Sequence, residues 1–240
     1  MDNTTLGIYI HELRNQVQYT EGGFELFNQA LQNNHTVGVL YAAQNILSAI
    51  SNVSSMLWPT RARDRARGEA LRKVLDLAEK HPLNDRRLSE LLDNSDQKLD
   101  EWIEKTRGQK IVIDFIGPLS RLPEEEKLPD ANFYRAYDPE TKVFYYRGAG
   151  YNLEAIAKTL GDVGSRILQV HQKLFPEQAE ASRKAAEQAQ AAAAAAQTSA
   201  DDVPKEAAPE KKPAAKKPAA KKKAAPKKAA PKKAGKKKTD

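Results

Sequence analysis

After Pro176 the chain carries no apolar side chain larger than alanine except Val203 and a set of prolines, so residues 177–240 have nothing with which to build a core. Whatever folds must fold within about the first 176 of the 240 residues, a length ample for one hydrophobic core. The charge divides near the same place. Residues 201–240 hold 15 Lys against 5 acidic side chains, a net of +10, which leaves −3 on the first 200 residues of a chain whose formal charge is +7. A mildly acidic body thus bears a strongly basic extension, and the sequence pI near 9.3 describes neither part.

Cysteine is absent, which removes disulfides, thiolate metal sites and Cys nucleophiles together and fits a reducing interior. The segment Met1–Asn15 has neither the basic start nor the apolar run of a secretory signal, and no stretch reaches the roughly 18 apolar residues of a membrane span. The expectation is a soluble cytoplasmic protein.

Within the body the apolar residues keep helical spacing. Leu6, Ile10, Leu13, Val17, Phe24, Phe27 and Leu31 predict one long amphipathic helix through Gly22-Gly23, where the glycines mark a kink or close crossing, with a break as the competing reading. Val39 to Leu57 predicts a second, wide-faced helix from Thr36 to Trp58, stopped by Pro59. Beyond the loop PTRARDRARG a shorter helix is expected over Glu69–Lys80, with Leu71, Val74, Leu75 and Ala78 inward. A fourth should run unbroken from Asn84 or Asp85 to Thr106, with Leu88, Leu91, Leu92, Ser95, Leu99, Trp102 and Ile103 on one side. The apolar, β-branched run KIVIDFIG then changes the character of the chain, and two aromatic-rich strands around Asp138-Pro139 predict a hairpin at about 132–147. Asn152 can cap a last helix running from Leu153 to Leu174. The expected fold is mainly α: an antiparallel helical bundle with a small β-hairpin over 1–176. An Ala-rich spacer over 177–200 extends the last helix, and a disordered tail follows over 201–240.

Between Lys211 and Thr239 the tail contains Lys211, Lys212, Lys216, Lys217, Lys221, Lys222, Lys223, Lys227, Lys228, Lys232, Lys233, Lys236, Lys237 and Lys238, set in Pro/Ala spacers, and no acidic residue. A flexible polycation of this kind has a dense polyanion as its natural partner, DNA or RNA. Without Arg forks for base edges or aromatic rings for stacking, it would bind without reading sequence. A purely solvating tail is the competing reading. Membrane is a weaker one, since the arm has no Leu, Phe or Trp to insert. A second phosphate-binding patch is conceivable in Arg61, Arg63, Arg65 and Arg67, set against surface ion pairs with Glu69, Asp76 or a neighbour.

Candidates for catalysis are thin. His11-Glu12 lacks the second His of a zinc motif, because Asn15 stands in its place, and the four His are scattered at 11, 35, 81 and 171, so no metal or other cofactor is expected. The segment GAG at 148–150 lacks the remaining signature of a phosphate loop. The acids Asp100-Glu101 and Glu124 to Glu126 are expected to face solvent, and the aromatic hairpin residues to pack in the core rather than to stack on bases.

The order of helices, with LW-Pro closing the second and RRLSELLDNSDQKLDEW in the fourth, resembles the HEPN class of bacterial helical bundles over roughly residues 3–105. The tail resembles those of linker histones and of Lys/Ala/Pro-rich nucleoid proteins. Active HEPN ribonucleases pair an Arg with a His about a turn further on, without metal. Here the match is Arg87 followed by Asn94, and an amide cannot serve as a general base near neutral pH. Arg166 and His171 have the literal spacing but sit in mid-helix. The resemblance therefore implies a non-catalytic binding or dimerisation module, tethered to nucleic acid by its tail. The alternatives are a ribonuclease with displaced catalytic residues and a protein-interaction scaffold with a solubilising tail.

Overall fold

The computed structural model of the chain describes residues 1–201. The chain divides into two units, Met1–Ala189 and Gln190–Asp240. Residues 190–201 of the second are the closing turns of a helix. The tail proper, with all the lysines named above, lies outside the described residues.

The first helix, α1 (Asn3–Gln32), opens on Asp2, whose carboxylate accepts the Thr5 N–H at 2.9 Å. It runs unbroken through Gly22-Gly23, and the two glycines differ. A Cβ on Gly23 would stand 2.8 Å from the Ile46 side chain, whereas one on Gly22 would meet nothing. Gly23 therefore marks the close crossing, and Gly22 costs helix propensity for no packing return. Gly22→Ala is expected to stabilise the fold by about 0.5–1 kcal/mol and Gly23→Ala to gain less or to destabilise it, read from urea midpoints.

Asn34, in the left-handed region that Asn tolerates, turns the chain into α2 (Thr36–Leu57). Gly23 meets Ile46 and Gln16 meets Asn52, so the two helices form a hairpin packed along its length. Ile10, Leu13, Ile46, Leu47, Ile50 and Val53 are buried in this seam and its continuation. The wide apolar face of α2 is explained by its other neighbours, α3 (Arg65–Val74), α4 (Arg86–Ser89) and the sheet.

Three expectations need correction. The third helix starts earlier and ends at Val74, where Asp76 turns left-handed and the Leu77 N–H bonds the Arg72 carbonyl. Val74 and Ala78 are consequently exposed, and Arg72 is buried instead. The fourth helix is two helices: α4 stops at Ser89, and α5 (Ser95–Thr106) begins after Asn94. Leu88 and Leu91 join the core built on α2, while Trp102 reaches the Ala131 carbonyl and the Tyr134 ring, so the two ends of the segment answer to different surfaces. Leu92 and Ile103 are left exposed. Finally, α6 (Leu153–Leu174) does not run on into the Ala-rich segment. Phe175 leaves the helical region before Pro176, as a residue preceding proline prefers, and α7 (Pro176–Asp201) starts afresh.

The hairpin exists and is larger than expected. Strands β1 (Val112–Ile116), β2 (Phe133–Asp138), β3 (Val143–Tyr146) and β4 (Ala149–Asn152) form one sheet in chain order. The β2–β3 pair is the expected hairpin, β1 lies parallel to β2, and β4 is antiparallel to β3. Strand β4 passes directly into α6, whose cap is Asn152 accepting the Ala155 N–H at 2.8 Å. Phe144, Tyr137, Tyr146 and Tyr151 pack into the core shared with α1, α2 and α6. The fold is thus mainly helical with a small four-stranded sheet. No helix among the described residues is long and apolar enough to cross a membrane.

Candidate functional site

A concentration of charged side chains lies where α2 ends. Trp58, halted by Pro59, turns its indole inward and stacks on His81 with ring centres 4.8 Å apart. Its Nε1 is buried without a hydrogen-bond partner among the described residues. The Arg72 guanidinium sits 5.9 Å from the Trp58 ring, donates to the Leu57 carbonyl and pairs with Glu79. In front of them is a cleft of about 620 Å³ whose charged lining is Arg65, Arg72 and Arg86 against Glu69, Glu79 and Glu90. Arg86 is paired with Glu90 at 2.8 Å. A cleft so balanced in charge does not present the excess of cations that a bare phosphate demands.

The arginine loop borders this cleft. Arg61 pairs with Asp93 at 4.0 Å, and Arg63 and Arg67 share Asp64 at 3.7 and 3.8 Å. Arg67 also lies over the Tyr9 ring. Arg65 makes no ion pair within 4.0 Å among the described residues, and neither Glu69 nor Asp76 is the partner of any of the four. The Arg61–Asp93 pair is exposed on both sides and contributes at most about 1 kcal/mol, so a phosphate can exchange for Asp93 at little cost, whereas Asp64 and Arg67 are half-buried.

The catalytic candidates are dispersed. Arg87 is held bidentately by Asp85, with contacts of 2.7–3.2 Å, and its guanidinium lies over the Tyr151 ring. Asn94 stands exposed at the start of α5 with φ 47°, on a different helix from Arg87. On α6, Arg166 turns toward the end of α3, donating to the Asp76 carbonyl at 2.6 Å and pairing with Asp76 and Asp162. His171, about 140° further round the helix, faces α1 instead. The pair of Arg and His is therefore split between two neighbours. Glu12, beside His11, accepts a hydrogen bond from the Gln16 amide at 2.7 Å, and no group of three or more metal-ligating side chains occurs among the described residues. Asp100, Glu101 and Glu124 to Glu126 are exposed.

The aromatic strands are packed rather than displayed. Phe133, Tyr137, Phe144 and Tyr146 are buried, and the Phe27 ring meets Tyr137 edge-on at 4.9 Å. Tyr134 and Tyr145 are half-buried. Arg147, in the left-handed turn before Gly148, ties this sheet to α5 through the Ser95 carbonyl and hydroxyl, each at 2.8 Å, and stacks on Tyr146. Of the segment GAG at 148–150, Gly148 closes the turn and Ala149 and Gly150 open β4.

One cluster escaped the sequence. His11 Nδ1 and His171 Nε2 lie 3.3 Å apart between α1 and α6, with Phe175 against both rings. At that distance one nitrogen donates and the other accepts. Burial of His171, with Arg14 and His11 beside it, pulls its imidazole below the ordinary histidine range. A depressed histidine contributes stability that is present above its unfolded value near 6.5 and is lost as pH falls through the folded one. His81, lowered chiefly by burial, acts in the same sense. The urea midpoint should therefore drop between pH 7.5 and pH 5.5, and His171→Asn should flatten that drop while leaving the His81 part in place.

Comparison with protein-family models, curated proteins and solved structures finds no match to this chain.

Proposed function

We propose that this chain is a non-catalytic helical binding module held on nucleic acid, DNA or RNA, by its lysine-rich C-terminal arm. The observation that carries the reading is the separation of charge: 14 Lys and no acid between Lys211 and Thr239, attached to a body of net charge −3. Phosphate neutralised by lysine releases counterions and yields binding without base readout. The exposed arginines Arg61, Arg63 and Arg65 supply a second, weaker contact on the body. In this reading the body is an antiparallel bundle of the HEPN kind whose Arg–His pair has lapsed to Arg87 and Asn94. The α1–α2 hairpin supports that assignment, as does the engagement of Arg87 by Asp85 and the Tyr151 ring, with no histidine among its contacts in the described residues. Without catalysis the bundle's work is association, including with a second copy of itself. The corresponding location is the cytoplasm and, with DNA as partner, the nucleoid. The test is a salt-titrated binding comparison between the full chain and one ending at Ala200.

A further inference from the structure

Strand β1 is an edge of the sheet, unpaired on its outer side among the described residues. Natural sheets blunt such edges because open N–H and C=O groups template another strand. Here the edge bears Ile113, 58% exposed, with Ile111, 40% exposed, just before the strand, and no proline interrupts Lys110–Ile116, which the pairing below would extend as strand. Charge stands only at Lys110 and Asp114.

We propose that this edge joins two copies of the chain, β1 against β1 in antiparallel sense about a two-fold axis at Val112, giving one eight-stranded sheet. That register sets Val112 opposite itself and Ile111 opposite the partner's Ile113, so both exposed isoleucines of each copy are covered. It also sets Lys110 opposite the partner's Asp114, twice, and opposite charges facing each other across strands are favourable. The neighbouring registers fail on charge: an axis at Asp114 opposes two carboxylates, and one at Ile113 sets Asp114 against Val112. Residues 110, 112 and 114 share a face by the strand's period of two. Arg135 on β2 holds Asp114 there with two hydrogen bonds of 2.7 and 2.9 Å, and Asn132 fixes the entry to β1 through the Lys110 carbonyl. Beside this face a groove of about 250 Å³ separates Asp114 and Arg135 from Val37 and Tyr41 of α2, which are 71% and 64% exposed. The arriving strand borders that groove and withdraws this apolar surface from water. An isologous contact of this kind closes on itself, producing dimers rather than fibres. Lys110 and Asp114 stand at equal distances on either side of Val112, so the edge is complementary to itself, and the second copy is the occupant that this spacing selects.

The inference deepens the self-association in the proposed function and is independent of the tail. The test uses the full chain without nucleic acid, so a failed tail leaves its readout intact. Sedimentation equilibrium is expected to show a dimer. Lys110→Glu, at an exposed position, turns two attractions into repulsions and should weaken the dimer by about tenfold or more, with unchanged circular dichroism. In this cysteine-free chain, Val112→Cys should form a disulfide-linked dimer on mild oxidation and Ile116→Cys should not, because facing residues across antiparallel strands have Cα atoms about 4.5–5.5 Å apart, within disulfide reach. A monomeric full chain overturns the proposal. So does a dimer that Lys110→Glu leaves intact and Val112→Cys does not capture.

Discussion

Ending the chain at Ala200 is expected to abolish most of its affinity for duplex DNA at low salt, while the full chain binds with steep salt dependence and no preference among sequences. The slope of log affinity against log salt approaches about −0.9 for each phosphate neutralised, so an arm that engages 6 to 10 phosphates loses roughly 10³–10⁵ in affinity between 50 and 200 mM salt. Fourteen lysines are enough to supply that number. The body offers much less: Arg61, Arg63 and Arg67 already face Asp93 or Asp64, and the cleft behind them is balanced in charge. Arg63→Ala should accordingly change the slope by about one unit at most. Two duplexes of unrelated sequence should compete equally, since lysine carries no fork for a guanine edge and the arm has no ring to stack. Equal binding by the full and shortened chains would remove the arm from the function.

The second large effect is on stability. Phe144→Ala should cost about 3–5 kcal/mol, a third or more of the stability of an ordinary domain. Phe144 is fully buried, pairs across the sheet with Tyr137 and Tyr151, and packs into the core shared by α1, α2 and α6. Its neighbour Tyr145 points to the other face and is half-buried, so Tyr145→Ala should cost well under half as much. Urea unfolding of the two variants gives the comparison. A Phe144→Ala protein of nearly normal stability that has lost nucleic-acid binding would restore the base-stacking reading of these strands.

The legible parts of this protein were those governed by local chemistry. Apolar spacing located α2 to within about two residues and found α1 and the start of α6, Asn152 signalled a cap that forms as expected, and alternation with Asp138-Pro139 located the β2–β3 hairpin. Strand β4 passed unread because Ala149-Gly150-Tyr151-Asn152 has little strand character of its own and is defined by pairing with β3. The fourth helix failed for a related reason. Its spacing was helical throughout, but Leu88 and Leu91 were drawn to the core on α2 and Trp102 to Ala131, and a straight helix cannot satisfy both.

The candidate site shows the same division. Arg166 and His171 share a helix and a spacing, yet their directions differ by about 140°, so one is claimed by Asp76 and the other by His11, 160 residues away in sequence. The sequence by itself determined where a core could be built, that the last sixty-odd residues could not join it, and that the charge would be carried as a basic arm on an acidic body. Those are properties of composition and short-range periodicity, and no folding partner can alter them. Which helix breaks, which arginine is spent on a carboxylate, which histidines meet and which strand is left with an open edge were decided by tertiary packing, because each depends on contacts whose partners lie far apart along the chain.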